Sequence, residues 1–190
     1  MNMTNSATLS KQALPLRKTS IFLVLFVWIC VGAALGQWKS DDKKATDSPE
    51  RKSVNGFGAH LVAVKEPRDF IQEWLKPEKP KIKSAEKAKR GESLGIFVLF
   101  AGCKQVNGVC NSEVDYAIYK PDGSIFVERN AQPLWKKQSP PTPNIQLGSA
   151  ILAFSFAKNH PSGKYKIKAK VRDLNADISF ELENELELKD

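Results

Sequence analysis

The residues of this chain best suited to chemistry are two cysteines, Cys103 and Cys110, set in "FAGCKQVNGVCNSEVDY". Paired thiols can hold zinc, exchange disulfides or close a covalent bridge. A zinc site needs further Cys or His at ligand spacing, and His60 and His160 each stand alone in their segments. A redox catalyst places Cys-x-x-Cys at a helix start, where the thiol pKa falls; here six residues separate the pair in a strand-loop-strand context. The third cysteine, Cys30, lies in an apolar N-terminal stretch. An even pair outside that stretch predicts a structural disulfide. Setting the two cysteines opposite one another predicts a four-residue loop over 105–108, with Gly108 in the left-handed conformation. Closing so short a loop contributes on the order of 2.5 kcal/mol.

For hydrolysis or acyl transfer the chemistry asks for a nucleophile on a turn such as Gly-x-Ser-x-Gly, or paired carboxylates beside a histidine, and the sequence offers neither. Asp115 reads as a strand-surface residue and Asp122 as a turn former. The expectation is a protein without catalysis, cofactor or metal.

The first 36 residues carry no Asp or Glu, set Lys11, Arg17 and Lys18 ahead of "IFLVLFVWICVGAAL", and end in small residues at Ala34 and Gly36. A basic region, a short apolar run and a small-residue exit make a signal peptide over 1–36, cleaved before Gln37; an uncleaved N-terminal anchor is the alternative. Trp28-Ile29 before Cys30 speaks against lipid attachment there. Either way, the remainder is expected outside the cytosol. Of the net charge of +8, three units belong to this segment. The remaining excess is not gathered on one face with aromatics between, so no nucleic-acid partner is expected. Membrane contact is expected only through the N-terminal segment if uncleaved.

Residues 37–56, polar and mixed in charge, read as a flexible linker, and 57–190 as the folded domain. "FGAHLVAV" opens it as a strand. "EPRDFIQEWLKPEKP" follows as a short helix between Pro67 and Pro77, with Phe70/Trp74 and Ile71/Leu75 on one stripe. "LGIFVLF" is apolar at every position but Gly95, so both its faces need cover. If Leu94, Ile96, Val98 and Phe100 face the core, Phe97 and Leu99 need a lid, which Phe70 and Trp74, with Leu75 beside them, are placed to supply. "EVDYAIYKPDGSIFVE" is a hairpin around Pro121-Asp122-Gly123.

Residues 129–144, with four prolines, cannot form a central strand and are expected to cross the surface. Trp135, Lys136, Lys137, Pro140 and Pro141 in this segment are the candidate partner-binding residues. The last hairpin sets Tyr165, Ile167, Ala169 and Val171 inward and Lys164, Lys166, Lys168, Lys170 and Arg172 outward, facing a row of Glu181, Glu183, Glu185 and Glu187. Those rows should cancel, so the lysines are not expected to bind an anion. Asn184 interrupts the inward row and suggests a bulge or an exit from the core. "KPEKPKIKSAEKAKR" is the one basic run, suited to an anionic surface or to guarding an edge strand, and the edge is the favoured reading.

This succession of short strands predicts a mainly β protein, an antiparallel Ig-like β-sandwich with one short helix. "KRGESLGIFVLFAGC", "DYAIYKPDGSIF" and "HPSGKYKIKAKVRD" resemble successive strands of bacterial secreted or periplasmic Ig-like domains. The resemblance extends over residues 57–188 and implies the fold and the compartment but no activity. The function expected is a non-catalytic binding or accessory module of the envelope with an unidentified protein partner. The alternative is an inhibitor of an extracellular or periplasmic enzyme acting through the Pro-rich loop 129–144.

Overall fold

A computed structural model describes residues 39–40, 43–44, 46–78, 80–136 and 144–189. The expected signal peptide and the candidates Lys137, Pro140 and Pro141 lie outside the described residues. Two short strands, β1 (Lys39–Ser40) and β2 (Lys43–Lys44), pair with each other. Next come β3 (Arg51–Val54), β4 (Phe57–Lys65), helix α1 (Pro67–Leu75), β5 (Lys87–Ala88) and β6 (Ser93–Ala101). A small hairpin of β7 (Gln105–Val106) and β8 (Val109–Cys110) leads into β9 (Ser112–Tyr119) and β10 (Ile125–Trp135). The strands β11 (Gln146–Ser155), β12 (Gly163–Asp173) and β13 (Ile178–Leu188) follow.

Five strands in the order β10-β9-β12-β13-β5 form one sheet and four in the order β11-β6-β4-β3 the other. Among the described residues all pairings are antiparallel except β13 with β5. These residues form the expected Ig-like β-sandwich with one short helix among them. Alternation builds its interior: Val114, Tyr116 and Ile118 of β9 and Tyr165, Ile167, Ala169 and Val171 of β12 meet Leu94, Ile96, Val98 and Phe100 of β6 in one buried cluster. Tyr116 ties the sheets together by donating its hydroxyl to the Ala150 carbonyl at 3.0 Å.

The outer face of the four-stranded sheet is apolar too, and α1 covers it. Val62, Val64, Phe97 and Leu99 are buried beneath Trp74, with Phe70 and Ile71 packed alongside and the Phe70 and Phe97 rings 5.1 Å apart. Each such side chain removed from water contributes about 1.5–3 kcal/mol. Gly95 lets the helix start sit close, since a Cβ there would lie 2.6 Å from the Pro67 Cβ. Leu75 corrects the expectation: it is 77% exposed, one position past the stripe that Phe70, Ile71 and Trp74 present.

The linker read over 37–56 also needs correction. Arg51–Val54 pairs with Phe57–His60 of β4, and the chain is tied as early as Ser48, which bridges to Arg51. Strand pairing needs backbone rather than apolar side chains, which is why a polar stretch can serve. This segment joins both sheets, because the Pro49 carbonyl accepts from Glu183 N–H of β13 and the Glu50 carbonyl from Leu61 N–H of β4. The stretch 84–88 repeats the arrangement. Ala85 N–H reaches the Ala63 carbonyl, while the Glu86 and Ala88 carbonyls accept from Glu187 and Lys189 N–H. The two crossings satisfy the edges of β4 and β13 along one seam. The basic run therefore ends as an edge strand, the favoured reading. Asn184 lies on this seam without a bulge: the β12–β13 ladder is continuous through Ile167 and Asn184, whose amide donates to the Leu61 carbonyl at 3.3 Å and Ser84 Oγ at 3.0 Å.

Segment 129–144 begins inside a sheet. β10 continues to Trp135 as an edge strand, with register shifts between Arg129 and Gln132 and between Pro133 and Trp135, positions where an edge tolerates proline.

Candidate functional site

One end of the sandwich gathers most of the residues singled out for chemistry. Cys103 and Cys110 form a disulfide with Cα atoms 5.9 Å apart. The loop register differs from the expectation. Gln105 rather than Cys103 stands opposite Cys110, and Val106 stands opposite Val109, so the turn is the two residues Asn107 and Gly108, both at positive φ. That is the turn Asn-Gly favours in a tight hairpin. The expected four-residue loop fails because a disulfide needs its Cα atoms within reach, not directly paired across a ladder. Cys103 bridges from just outside the strand.

The stapled hairpin is anchored to the turn between β12 and β13. Asp173, 1% exposed, accepts from Lys104 N–H through Oδ2 at 2.6 Å and from Asn175 and Ala176 N–H through Oδ1. Asn175 donates its amide to the Lys104 and Val109 carbonyls at 2.9 and 2.8 Å, and Leu174 N–H donates to the Asn111 carbonyl at 2.9 Å. A buried carboxylate that accepts several N–H groups is held firmly and fixes its neighbours. Val106, Val109 and Leu174 project from this frame with 47, 40 and 45% of their surface exposed. The sequence signal for the anchor was "RDLNADI", where Asp and Asn flank the turn between two amphipathic strands.

Of the candidate partner-binding residues, the structure places Trp135 at this same end. It is half-buried, its ring 5.7 Å from Phe100, and its carbonyl accepts from Ser112 Oγ at 3.4 Å. Lys136 is paired with Glu113. Trp135 is therefore the root of the segment that follows it.

The outer face of the five-stranded sheet carries charge instead. Asp115 forms a two-point pair with Arg172 and accepts from Ala131 N–H at 2.7 Å, which holds Ala131 at φ 50 in the bulge of β10. The Arg172 guanidinium keeps the Asp115 carboxyl below the usual carboxylate range. The rows of β12 and β13 stand in register, Lys166 opposite Glu185 and Lys168 opposite Glu183. The side chains do not pair one to one, however: Glu183 serves both Lys166 at 3.7 Å and Lys168 at 3.0 Å, Glu185 reaches Lys164 at 3.4 Å, and Glu187 turns to Lys189 at 3.9 Å. The bond to Lys168 lowers the Glu183 pKa and raises that of Lys168.

His60 and His160 are far from becoming a pair. Burial, with Arg51 nearby, lowers the His60 pKa. His160 accepts from Ala157 N–H through Nδ1 and packs edge-on against Phe126. Among the described residues no three or more His, Cys, Asp or Glu side chains come together as a metal-binding set.

No protein-family model matches the chain, and no curated protein matches it. Several solved structures are similar to it at low identity. A family 123 glycoside hydrolase from Clostridium perfringens aligns at 11% identity and a TM-score of 0.42 over 70% of this chain, which spans only 27% of that one. The CARDB domain of a Pyrococcus furiosus protein aligns at 10% identity and a TM-score of 0.36, covering 69% of this chain and 87% of its own. An immunoglobulin-like protein from Pseudomonas aeruginosa aligns at 15% identity and a TM-score of 0.32, covering 69% and 91%.

Proposed function

We propose that the domain is a non-catalytic binding or accessory module of the bacterial cell envelope, periplasmic or secreted, which meets a protein partner with its disulfide-stapled end. The observation that carries this reading is the anchored hairpin: Val106, Val109 and Leu174 are exposed on a frame made rigid by a disulfide, a buried Asp173 and the Asn175 amide. An apolar tip whose ordering cost is already met in the free protein is a preorganised contact surface. The disulfide and the basic-then-apolar N-terminal sequence support a location outside the cytosol.

The test is crosslinking in an envelope fraction with the Val106→Asp, Val109→Asp double variant beside Leu75→Asp, a control at an exposed apolar residue elsewhere. The tip variant should lose a discrete crosslinked product that the wild type and the control retain, with its melting temperature unchanged. Identical products from all three would overturn the reading. Inhibition of an extracellular or periplasmic enzyme is the second reading, supported by Trp135 anchored on Phe100 where the Pro-rich segment leaves the sheet. Deleting 137–143 would abolish inhibition while leaving the tip-dependent crosslink intact.

A further inference from the structure

At the opposite end of the sandwich, on the open face of the five-stranded sheet, the turn at 121–123 overhangs a cavity of about 430 Å³. Its walls are Tyr119, Lys120, Pro121, Lys164, Lys166 and Lys168, and Glu185 is the single carboxylate in the lining. A second depression of about 170 Å³ shares Tyr119 and Lys168 with the first. Its lining includes Ala117, which faces Lys168 on one side and Glu128 on the other and leaves a gap between longer side chains. The turn is drawn over the start of β12 because Gly163, at φ 130, lets Pro121 approach: a Cβ there would lie 3.0 Å from the Pro121 Cγ.

The expected cancellation of charge is incomplete at this spot. Four lysines line the cavity; Lys164 pairs with Glu185, the one carboxylate of the lining, while Lys166 and Lys168 share the neighbouring Glu183. An ammonium has three donors, so a lysine paired with glutamate keeps others for a ligand. We infer that this cavity binds an acidic saccharide, with a sugar ring against Tyr119 and its anionic substituent held by Lys120, Lys164 and Lys166. The half-buried Tyr119 ring and Pro121 give an apolar plate for the C–H face of a pyranose. Around the basic centre stand Glu185, Glu128 and Glu181, acceptors that suit hydroxyl groups. Those same carboxylates repel a densely charged chain such as polyphosphate or nucleic acid. One anionic group amid many hydroxyls is the ligand chemistry that matches both.

The test is titration of the whole chain with a saccharide trimer carrying a single uronate, followed by backbone amide NMR, with the same trimer lacking the carboxylate, inorganic phosphate and phosphatidylglycerol vesicles as parallel arms. Shifts should concentrate at 117–123 and 163–169 for the acidic trimer and be much weaker for the neutral one. Tyr119→Ala should weaken binding roughly five- to tenfold through lost ring contact. Lys120→Gln, at the edge of the turn, should weaken it about threefold. Equal shifts from inorganic phosphate would reduce the cavity to a plain anion site and overturn the inference, and tighter binding to the vesicles through these lysines would replace it with a lipid surface. Unchanged affinity in both variants would also overturn it.

Discussion

The two sheets of this sandwich treat their outer faces in opposite ways. The four-stranded sheet carries Val62, Val64, Phe97 and Leu99 outward and buries them under α1, whereas the five-stranded sheet carries Lys166, Lys168, Arg172 and their carboxylate partners into water. Their inner faces are alike, apolar and fully packed. The difference lies in the outward alternate positions: β6 has Phe97 and Leu99 at its centre, and β12 has Lys164, Lys166, Lys168, Lys170 and Arg172. One face contributes through area removed from water, in units of about 1.5–3 kcal/mol per side chain, the other through cross-strand pairs of about 0.2–1 kcal/mol. The covered face is thus a matter of stability, and the open face contributes much less to it.

The sharpest way to break this contrast is Trp74→Ala. With Trp74 7% exposed over the sheet, its truncation should cost about 3–5 kcal/mol in chemical denaturation, while Leu75→Ala on the same helix should stay within about 0.5 kcal/mol of wild type. Unchanged stability in Trp74→Ala, joined to loss of self-association, would make the helix an interface rather than a lid. A smaller effect is expected at the helix root. Gly95→Ala puts a methyl 2.6 Å from the Pro67 Cβ and 2.7 Å from the Phe97 ring, an overpacking that should lower stability by about 1–3 kcal/mol in the same assay.

The smallest belongs to the open face. Asp115→Asn should cost about 1 kcal/mol near neutral pH, because the pair with Arg172 is only partly shielded. Its pH dependence has a definite sign. The Asp115 pKa is lowered by folding, so its contribution is complete above the ordinary value of 3.8 and fades as pH falls through the lower folded value. Unfolding curves of wild type and variant should differ by a constant amount from neutrality down to about pH 4 and converge in stronger acid. A gap that widened in acid would contradict the assignment.

What could be read in advance follows from side-chain period. The unbroken apolar run of "LGIFVLF" called for cover on both faces, and Phe70 and Trp74 provide it; the alternation of "KYKIKAKVRD" set inner and outer rows correctly. Leu75 was misplaced because a helix of nine residues shows the sheet a narrow stripe, and an i,i+4 partner at its last position can already have rotated past it. The strand at 51–54 and the crossing at 84–88 work through backbone hydrogen bonds, which leave no trace in hydrophobic pattern. The cysteine loop was misread by assuming that bridged residues must also be paired residues, although Asn107-Gly108 itself carried the correct register. The cavity by Tyr119 stayed hidden because register pairs the rows evenly, while the side chains share partners unevenly.

The seam between β4 and β13 also bears on the order in which the molecule can assemble. β13 is made after every strand it joins, yet Glu183 and Glu187 reach back to Pro49 and Glu86, and Asn184 to Leu61. Leu182, Leu186 and Leu188 complete the interior from the same strand. Loop closures of this length must be met before the contacts that reward them, which makes the seam costlier to form than the local hairpins β9–β10 and β12–β13. A chain lacking β13 would leave its partners along the seam without these donors and the interior without these three leucines.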